Sequence, residues 1–461
     1  MSSAAPPNIL FLTWHDAGRW FNCYGVDTVD TPGIDRIAAE GCRFTQAHSA
    51  CAICSPSRAA MMTGRTCQAA GVMSLTNNVF SNRIHPSIRH LARLLKEDHG
   101  YRTALFGVQH EAAHEHIWRV QQFDEAHRTD PWPTADVSCD ALIDWLEQRK
   151  TDTAPWYAQI GFFEGHLGAF YNAQTNPAYP QEDYTEKGLH LPPYLADDAP
   201  GRATVANLQG LLTRAGRAFD RVLDALKANG QESNTLVVVC VDHGVGLARA
   251  KTTCYDPGTA VGWLMRLPGR VPTNHTVENL TTHIDVFPTV LELAGHPVPD
   301  ATQGLSFAPH ACGQADHEQN KAIFAHMVET IRSVRTQRWK LIRNFQPSNR
   351  GKLFPARAGW LWRSRPDERP PATDPKNAPH LELYDLQKAP DEHQNLASDP
   401  QHHATLAELD ARLWAFLYDE GDPLIHQPVR TQYDVETRAS LEAFCKKTSR
   451  VLTQAIGPRA S

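Results

Sequence analysis

A cysteine near a helix start, two histidine–aspartate pairs and a histidine-bearing strand end are the groups in this chain with the chemistry to attack, to hold a cation and to move protons. Cys54-Ser55-Pro56-Ser57-Arg58 opens a segment with helical character. Pro56 has a fixed φ and no N–H, which suits the first helical position. Ser57 to Met62 continue the helix and Gly64 stops it. Cys54 is thereby predicted just ahead of the helix N-terminus, where free N–H groups and the dipole favour an anion. Taken alone, the same five residues also describe a helix start behind a buried cysteine. Asp242-His243-Gly244 follows the apolar run Thr235 to Val241, and a carboxylate at a strand tip, a polar neighbour and a turn glycine suit a shared metal site. His15-Asp16 ends a second such run, Asn8 to Trp14. His110-Glu111-Ala112-Ala113-His114 is an H-E-x-x-H, in which zinc proteases put two histidines on one helix face and use the glutamate as base. Here strand-like residues precede His110 and the extended continuation is missing, so that reading ranks last. Cys51 and Cys54 form a C-x-x-C, but no second pair stands at zinc spacing. The 10 cysteines are scattered rather than framed as disulfides.

A sheet has to bring these groups together. At 461 residues the chain is long enough for one large α/β domain and a smaller one. The runs Asn8 to Trp14, Tyr101 to Phe106, Tyr157 to Phe163, Thr235 to Val241 and Val261 to Leu267 predict core strands. Asp35, Ile37, Ala38 and Gly41 suit a short helix with a glycine stop. Val205 to Ala228 repeats its apolar residues at the helical period and predicts a covering helix. The pattern breaks near 308–320, which divides the chain into a catalytic domain 1–312 and a subdomain 313–461. Ser333 to Arg338 and Trp339 to Asn344 alternate like a hairpin, and Thr405 to Leu417 is a helix. Residues 346–380, rich in proline and arginine and carrying Trp360 and Trp362, read as a surface insertion or an active-site lid. The tail after 430 predicts a helix for packing or for subunit contact, the latter making a homo-oligomer. A formal charge of −6 leaves no electrostatic footprint for nucleic acid. The absence of any run of about 18 apolar residues predicts no membrane partner. Met1 to Pro7 lacks a basic region and an apolar core, which predicts a cytoplasmic protein, or a periplasmic or secreted one if the chain is a trimmed form.

Cys54-Ser55-Pro56-Ser57-Arg58, closed by Thr63-Gly64-Arg65, resembles the signature of the type I sulfatases, part of the alkaline phosphatase superfamily. The resemblance implies a large, mostly parallel central sheet flanked by helices, with a smaller C-terminal α+β subdomain containing an antiparallel sheet. It also implies that a formylglycine-generating maturation enzyme oxidises Cys54 to formylglycine, whose hydrate is the nucleophile. In that family the first strand ends in two aspartates binding a divalent cation, usually calcium, with Mg2+ or Mn2+ as alternatives. Here His15 replaces the first and Asp16 keeps the second place. Imidazole is a poorer ligand than carboxylate for a hard cation. Asp242 and His243 match the family's other metal pair, and Cys54, once oxidised, joins them. Arg58 is expected to reach back one turn to hold the nucleophile. His110 matches the histidine of the family's glycine-lysine-x-histidine strand end, whereas Val108 stands where the lysine belongs and Gln109 is a partial stand-in. His166 and Lys251 match residues that bind sulfate and serve the leaving group. Cys23-Tyr24-Gly25, Thr31-Pro32 and His283 to Thr289 are also similar to the family. Tyr255-Asp256-Pro257-Gly258-Thr259 and the ending around Asp422-Pro423 look closest to its sulfamidase branch, as does the brief loop to Lys251. The implied substrate is a small sulfated molecule such as an N-sulfated amino sugar. A phosphonate or phosphate ester hydrolase of the same superfamily is the alternative. A binding protein with unmodified Cys54 is more distant.

Overall fold

Four neighbouring strands of one sheet carry the histidines and aspartates singled out above. In the computed structural model, which describes residues 5–76, 83–112, 121–127, 129, 133–166, 184–247, 249–314, 316–327, 330–345 and 379–426, the strands are β1 (Asn8–Trp14), β2 (Cys42–His48), β3 (Arg102–Gly107), β4 (Glu125–His127), β5 (Trp156–Phe162), β6 (Thr235–Val241), β7 (Trp263–Arg266) and β8 (His275–Thr282). They form one sheet in the order β4-β3-β5-β1-β6-β7-β2-β8. Only β7 runs against its neighbours; the other pairs are parallel. Ile9 to Leu12 of β1 and Leu236 to Val241 of β6 are fully buried. That explains their unbroken apolar runs, because a strand covered on both faces has no polar side.

The covering helix begins earlier than the apolar periodicity indicates, at Ala199, and runs to Ala228. Asp198 caps it through Gly201 N–H at 2.7 Å, and Pro200 fits its first turn, where no N–H is required. It packs against the helix Ala135–Gln148 and against α1 (Pro32–Glu40). The second helix used below, α2 (Cys54–Thr63), packs against the helix Val286–Leu293.

β9 (Ile323–Met327), β10 (Ile331–Arg335), β11 (Trp339–Asn344) and β12 (Leu381–Asp385) make a separate antiparallel sheet in the order β12-β11-β10-β9. The predicted hairpin is present as β10 and β11, with Val334 opposite Leu341. The helix His403–Asp419 packs on this sheet through buried Leu409, Leu413 and Leu417. Most of 346–380, with Trp360 and Trp362, and the tail after 430 lie outside the described residues.

Burial of imidazoles makes this fold acid-sensitive. His90 is fully buried and its Nδ1 accepts from Ala92 N–H at 3.1 Å, capping the helix Leu91–His99. Burial pushes its pKa down to about 3, so the folded protein excludes a proton that the unfolded chain takes up near pH 6.5. Stability from this group is therefore complete above pH 6.5 and is lost as pH falls toward 3. His90→Asn keeps a capping acceptor and has no proton to gain. Its thermal midpoint is expected to fall less steeply between pH 7 and 4 than that of the wild type.

Candidate active site

Because β1, β5 and β6 are neighbours in register, with Trp14 beside Phe162 and Val241, the residues after them leave the sheet at one edge. Asp16 follows β1 with a φ of 51°, a left-handed conformation that aspartate tolerates better than most residues. It carries the carboxylate to Asp242, whose Oδ1 accepts from Asp16 N–H at 3.0 Å. Gly165 after β5 has a φ of 114°, and a Cβ there would lie 2.9 Å from the carbonyl oxygen of His15. Glycine lets the two strand tips touch.

Cys54 is brought to these strand tips by α2. It is the first residue of the helix rather than the residue ahead of it, with Ile53 as extended cap. Pro56 therefore occupies the third helical position, where its missing N–H is still one that would have no partner. Gly64 ends the helix at a φ of 64° as expected.

The predicted groups converge. The Sγ of Cys54 lies 3.2 Å from Nε2 of His243 and 3.7 Å from Nζ of Lys251. Single donor atoms of His15, Asp16, Cys54 and Asp242 all lie within 4.8 Å of one another, and those of His15, Cys54 and His110 form an overlapping group. Nδ1 of His243 donates to Gly244 O at 2.9 Å, which turns Nε2 toward Asp16 Oδ1 at 3.3 Å and commits that nitrogen to any cation bound there. Burial works against a charge on His243, but Asp242 and Asp16 raise its pKa above the usual value. His15 is fully buried and its Nδ1 is 3.1 Å from Asp242 Oδ2, yet neither ring nitrogen has a hydrogen-bond partner. Burial, with Arg58 and other cations nearby, holds it neutral. The ring of His110 stands 5.5 Å from that of His15; burial, then Arg58 and Lys251, lower its pKa to about 4. His166 stacks on Phe163 at 4.5 Å, 6.3 Å from His15.

Lys251 donates to both oxygens of Asp16 at 2.7 Å. Burial would raise the Asp16 pKa, but Lys251, His166 and His243 hold it well below the carboxylate range. The loop that presents Lys251 is strained on both sides, with Arg249 at a φ of 60° and Thr252 at 72°. For a β-branched residue that costs about 1–3 kcal/mol.

Two expectations need correction. Arg58, fully buried, makes no hydrogen bond to Cys54. It donates from Nε to Asp242 Oδ2 at 3.1 Å and from Nη1 to Thr13 Oγ1 at 2.9 Å and Glu111 Oε1 at 3.4 Å. A buried guanidinium takes the partners that balance its charge. Gln109 is no stand-in for a lysine: its amide NH2 donates to Ala112 O at 2.7 Å and its oxygen accepts from the N–H groups of Glu111 and Ala112. Val108 itself is buried. Glu111 has none of the helical setting of a protease base, the reading ranked last from the sequence: residues 108–112 carry no helix and its carboxylate is held by Arg58, Gln121 and Gln159. His114 lies outside the described residues.

Thr13, Gln159 and Glu111 form the support behind the site that sequence reasoning missed. Two of them left a trace: Thr13 and Gln159 are polar residues inside otherwise apolar buried strands, and a buried polar group needs a partner.

The donor set fits a divalent cation. Two carboxylates, the His15 imidazole and the Cys54 side chain converge, with His243 Nε2 3.3 Å from Asp16, and an unpartnered nitrogen of His15 is what such an ion would satisfy.

Comparison with known proteins agrees. The family model described as Sulfatase matches residues 7–296. That described as N-sulphoglucosamine sulphohydrolase, C-terminal, matches residues 248–358. An ulvan-active sulfatase of Formosa agariphila is 25% identical over 468 residues, covering 90% of this chain and 75% of its own. N-sulphoglucosamine sulphohydrolase of Homo sapiens is 24% identical, with 92% of each chain covered. A protein solved with its substrate, D-glucosamine-2-N,6-O-disulfate, shares the fold with a TM-score of 0.66 at 19% identity, over 90% of this chain and 98% of the other. With strand tips, nucleophile helix and C-terminal sheet in that arrangement and the first model matched over more than half the length, the chain belongs to the sulfatase family as a sulfamidase-like type I sulfatase, a hydrolase.

Proposed function

We propose that the chain removes sulfate from a sulfated amino sugar, as an N-sulfate or an O-sulfate, using formylglycine made from Cys54 and a divalent cation held by Asp16, Asp242, His243 and His15. The observation that carries this is the contact of one cysteine side chain with His243 at 3.2 Å and Lys251 at 3.7 Å. A nucleophile, a cation-holding imidazole and an ammonium donor thus stand at one point. The names of the human relative and of the C-terminal family model, and the sugar held by the solved neighbour, support the substrate class.

Formylglycine made from Cys54 would, as its hydrate, supply the nucleophilic hydroxyl, and a cation held by Asp16, Asp242, His243 and His15 would supply positive charge against the sulfate oxygens. The chain's own residues do the remainder. Lys251, close to both Asp16 and Cys54, donates a proton to the departing oxygen or nitrogen, with His166 beside it. His110, neutral at physiological pH because its pKa is about 4, accepts the proton of the remaining hydroxyl. Arg58 acts through Asp242, whose carboxylate it orients. The buried Val108 in place of a lysine favours a second reading, hydrolysis of phosphonate or phosphate esters.

Peptide mass spectrometry on protein made with a formylglycine-generating enzyme tests the nucleophile. The fragment carrying Cys54 is expected about 18 Da below the thiol form, or as its hydrate. That protein should release sulfate from N- or O-sulfated glucosamine faster than it cleaves phosphate or phosphonate esters. A thiol that stays unmodified, or a preference for the phosphorus esters, would defeat the proposal.

A further inference from the structure

Resting on that reading, we propose that His15 is a direct ligand and that, together with His243, it tunes the cation site away from calcium toward a borderline first-row ion such as Zn2+ or Mn2+. Calcium draws its affinity from oxygen donors and from the count of anionic charges among them. This site offers two carboxylates, and both are already paired with buried cations. Lys251 holds Asp16 through both oxygens at 2.7 Å, and Arg58 holds Asp242 at 3.1 Å. The charge left to attract a hard ion is correspondingly small. Nitrogen donors, by contrast, are in place. His243 has its Nδ1 committed to Gly244 O and its Nε2 facing Asp16 and Cys54. His15 is fully buried, has two unpartnered ring nitrogens, and puts Nδ1 3.1 Å from Asp242 Oδ2.

No protein group among the described residues hydrogen-bonds to either ring nitrogen of His15, and a buried polar group left unsatisfied is costly. A histidine kept only for packing would bring that cost with no return. A cation shared with Asp242 satisfies the nitrogen that faces that carboxylate, and imidazole suits ions of the zinc series better than calcium.

The test is equilibrium binding to the full-length protein after chelator treatment, with ZnCl2, MnCl2 and CaCl2 as separate titrants, followed by calorimetry and by elemental analysis of retained metal. Wild type is expected to hold one Zn2+ per chain and to bind it at least about 100-fold more tightly than Ca2+. His15→Asp, which restores a carboxylate, should narrow that ratio by about tenfold or more. Asp242→Asn identifies the site, since tight binding that survives it belongs to surface histidines and overturns the proposal. A second readout is pulsed electron paramagnetic resonance of the Mn2+ form: two classes of imidazole nitrogen in wild type and one in His15→Asp. Calcium bound as tightly as zinc, an unchanged ratio in His15→Asp or an unchanged nitrogen pattern overturns the assignment. Calcium preference with sulfate release intact would sink this inference alone. No stoichiometric divalent ion of any kind would sink the cation in the proposed function as well.

Discussion

Cys54→Ala is expected to lower sulfate release by at least about 10⁴-fold, the scale on which loss of a covalent nucleophile is felt. The folded protein should remain. Cys54 is buried and close to His243 and Lys251, but alanine keeps the start of α2 and removes a single atom. A stability change within about 1 kcal/mol by denaturant titration follows. The pairing of those two outcomes is what matters. Activity surviving within tenfold would mean that the nucleophile lies elsewhere, whereas loss of folding would return the cysteine to the bland role of a packed helix start. Retained folding without turnover assigns the chemistry to the side chain itself.

Asp242→Asn is expected to harm both activity and stability, because one carboxylate serves two partners. Its Oδ1 accepts from Asp16 N–H and its Oδ2 from Arg58 Nε. Arg58 has no solvent exposure, so its charge cannot be relieved by water. The nearby Glu111 is 3.4 Å away, and burial raises the pKa of that carboxyl against the pull of Arg58. An uncompensated buried guanidinium costs about 3–5 kcal/mol, to be read as a lowered denaturant midpoint. Adding Arg58→Met should recover part of the loss, since the pair is coupled and its double-mutant cycle cannot be additive. Additive effects would show that Arg58 draws its balance from Glu111 and that Asp242 is only a cation ligand. The activity of Asp242→Asn should fall even where the protein remains folded, through loss of a charge that Asp16, His15 and His243 cannot replace.

Local chemistry made much of the fold legible. β1 and β6 have the predicted ends because strands buried on both faces are written as unbroken apolar runs, closed by the polar residues that form the site. Gly64 stops α2 because a left-handed residue is needed there. The start of that helix was misjudged because proline is compatible with any of the first helical positions, and only the extended Ile53 marks the boundary. β2 and β9 are not legible in the sequence: Cys42 to His48 and Ile323 to Met327 mix half-buried and buried positions without a clear alternation.

What the sequence determined by itself was the inventory and its placement along the chain: a cysteine at a helix start, carboxylates and imidazoles at strand ends, a lysine in a short loop. The tertiary structure decided who meets whom. Arg58 pairs with Asp242 across 184 positions and Lys251 with Asp16 across 235, and Glu111 serves Arg58 as a buried counter-charge. Gln109 spends its amide on its own turn. Periodicity and turn residues act over a few residues, so they can be read from spacing. The choice of partner for a buried charge depends on the lateral order of strands and on which groups water cannot reach, and neither quantity exists until the sheet has closed over the site.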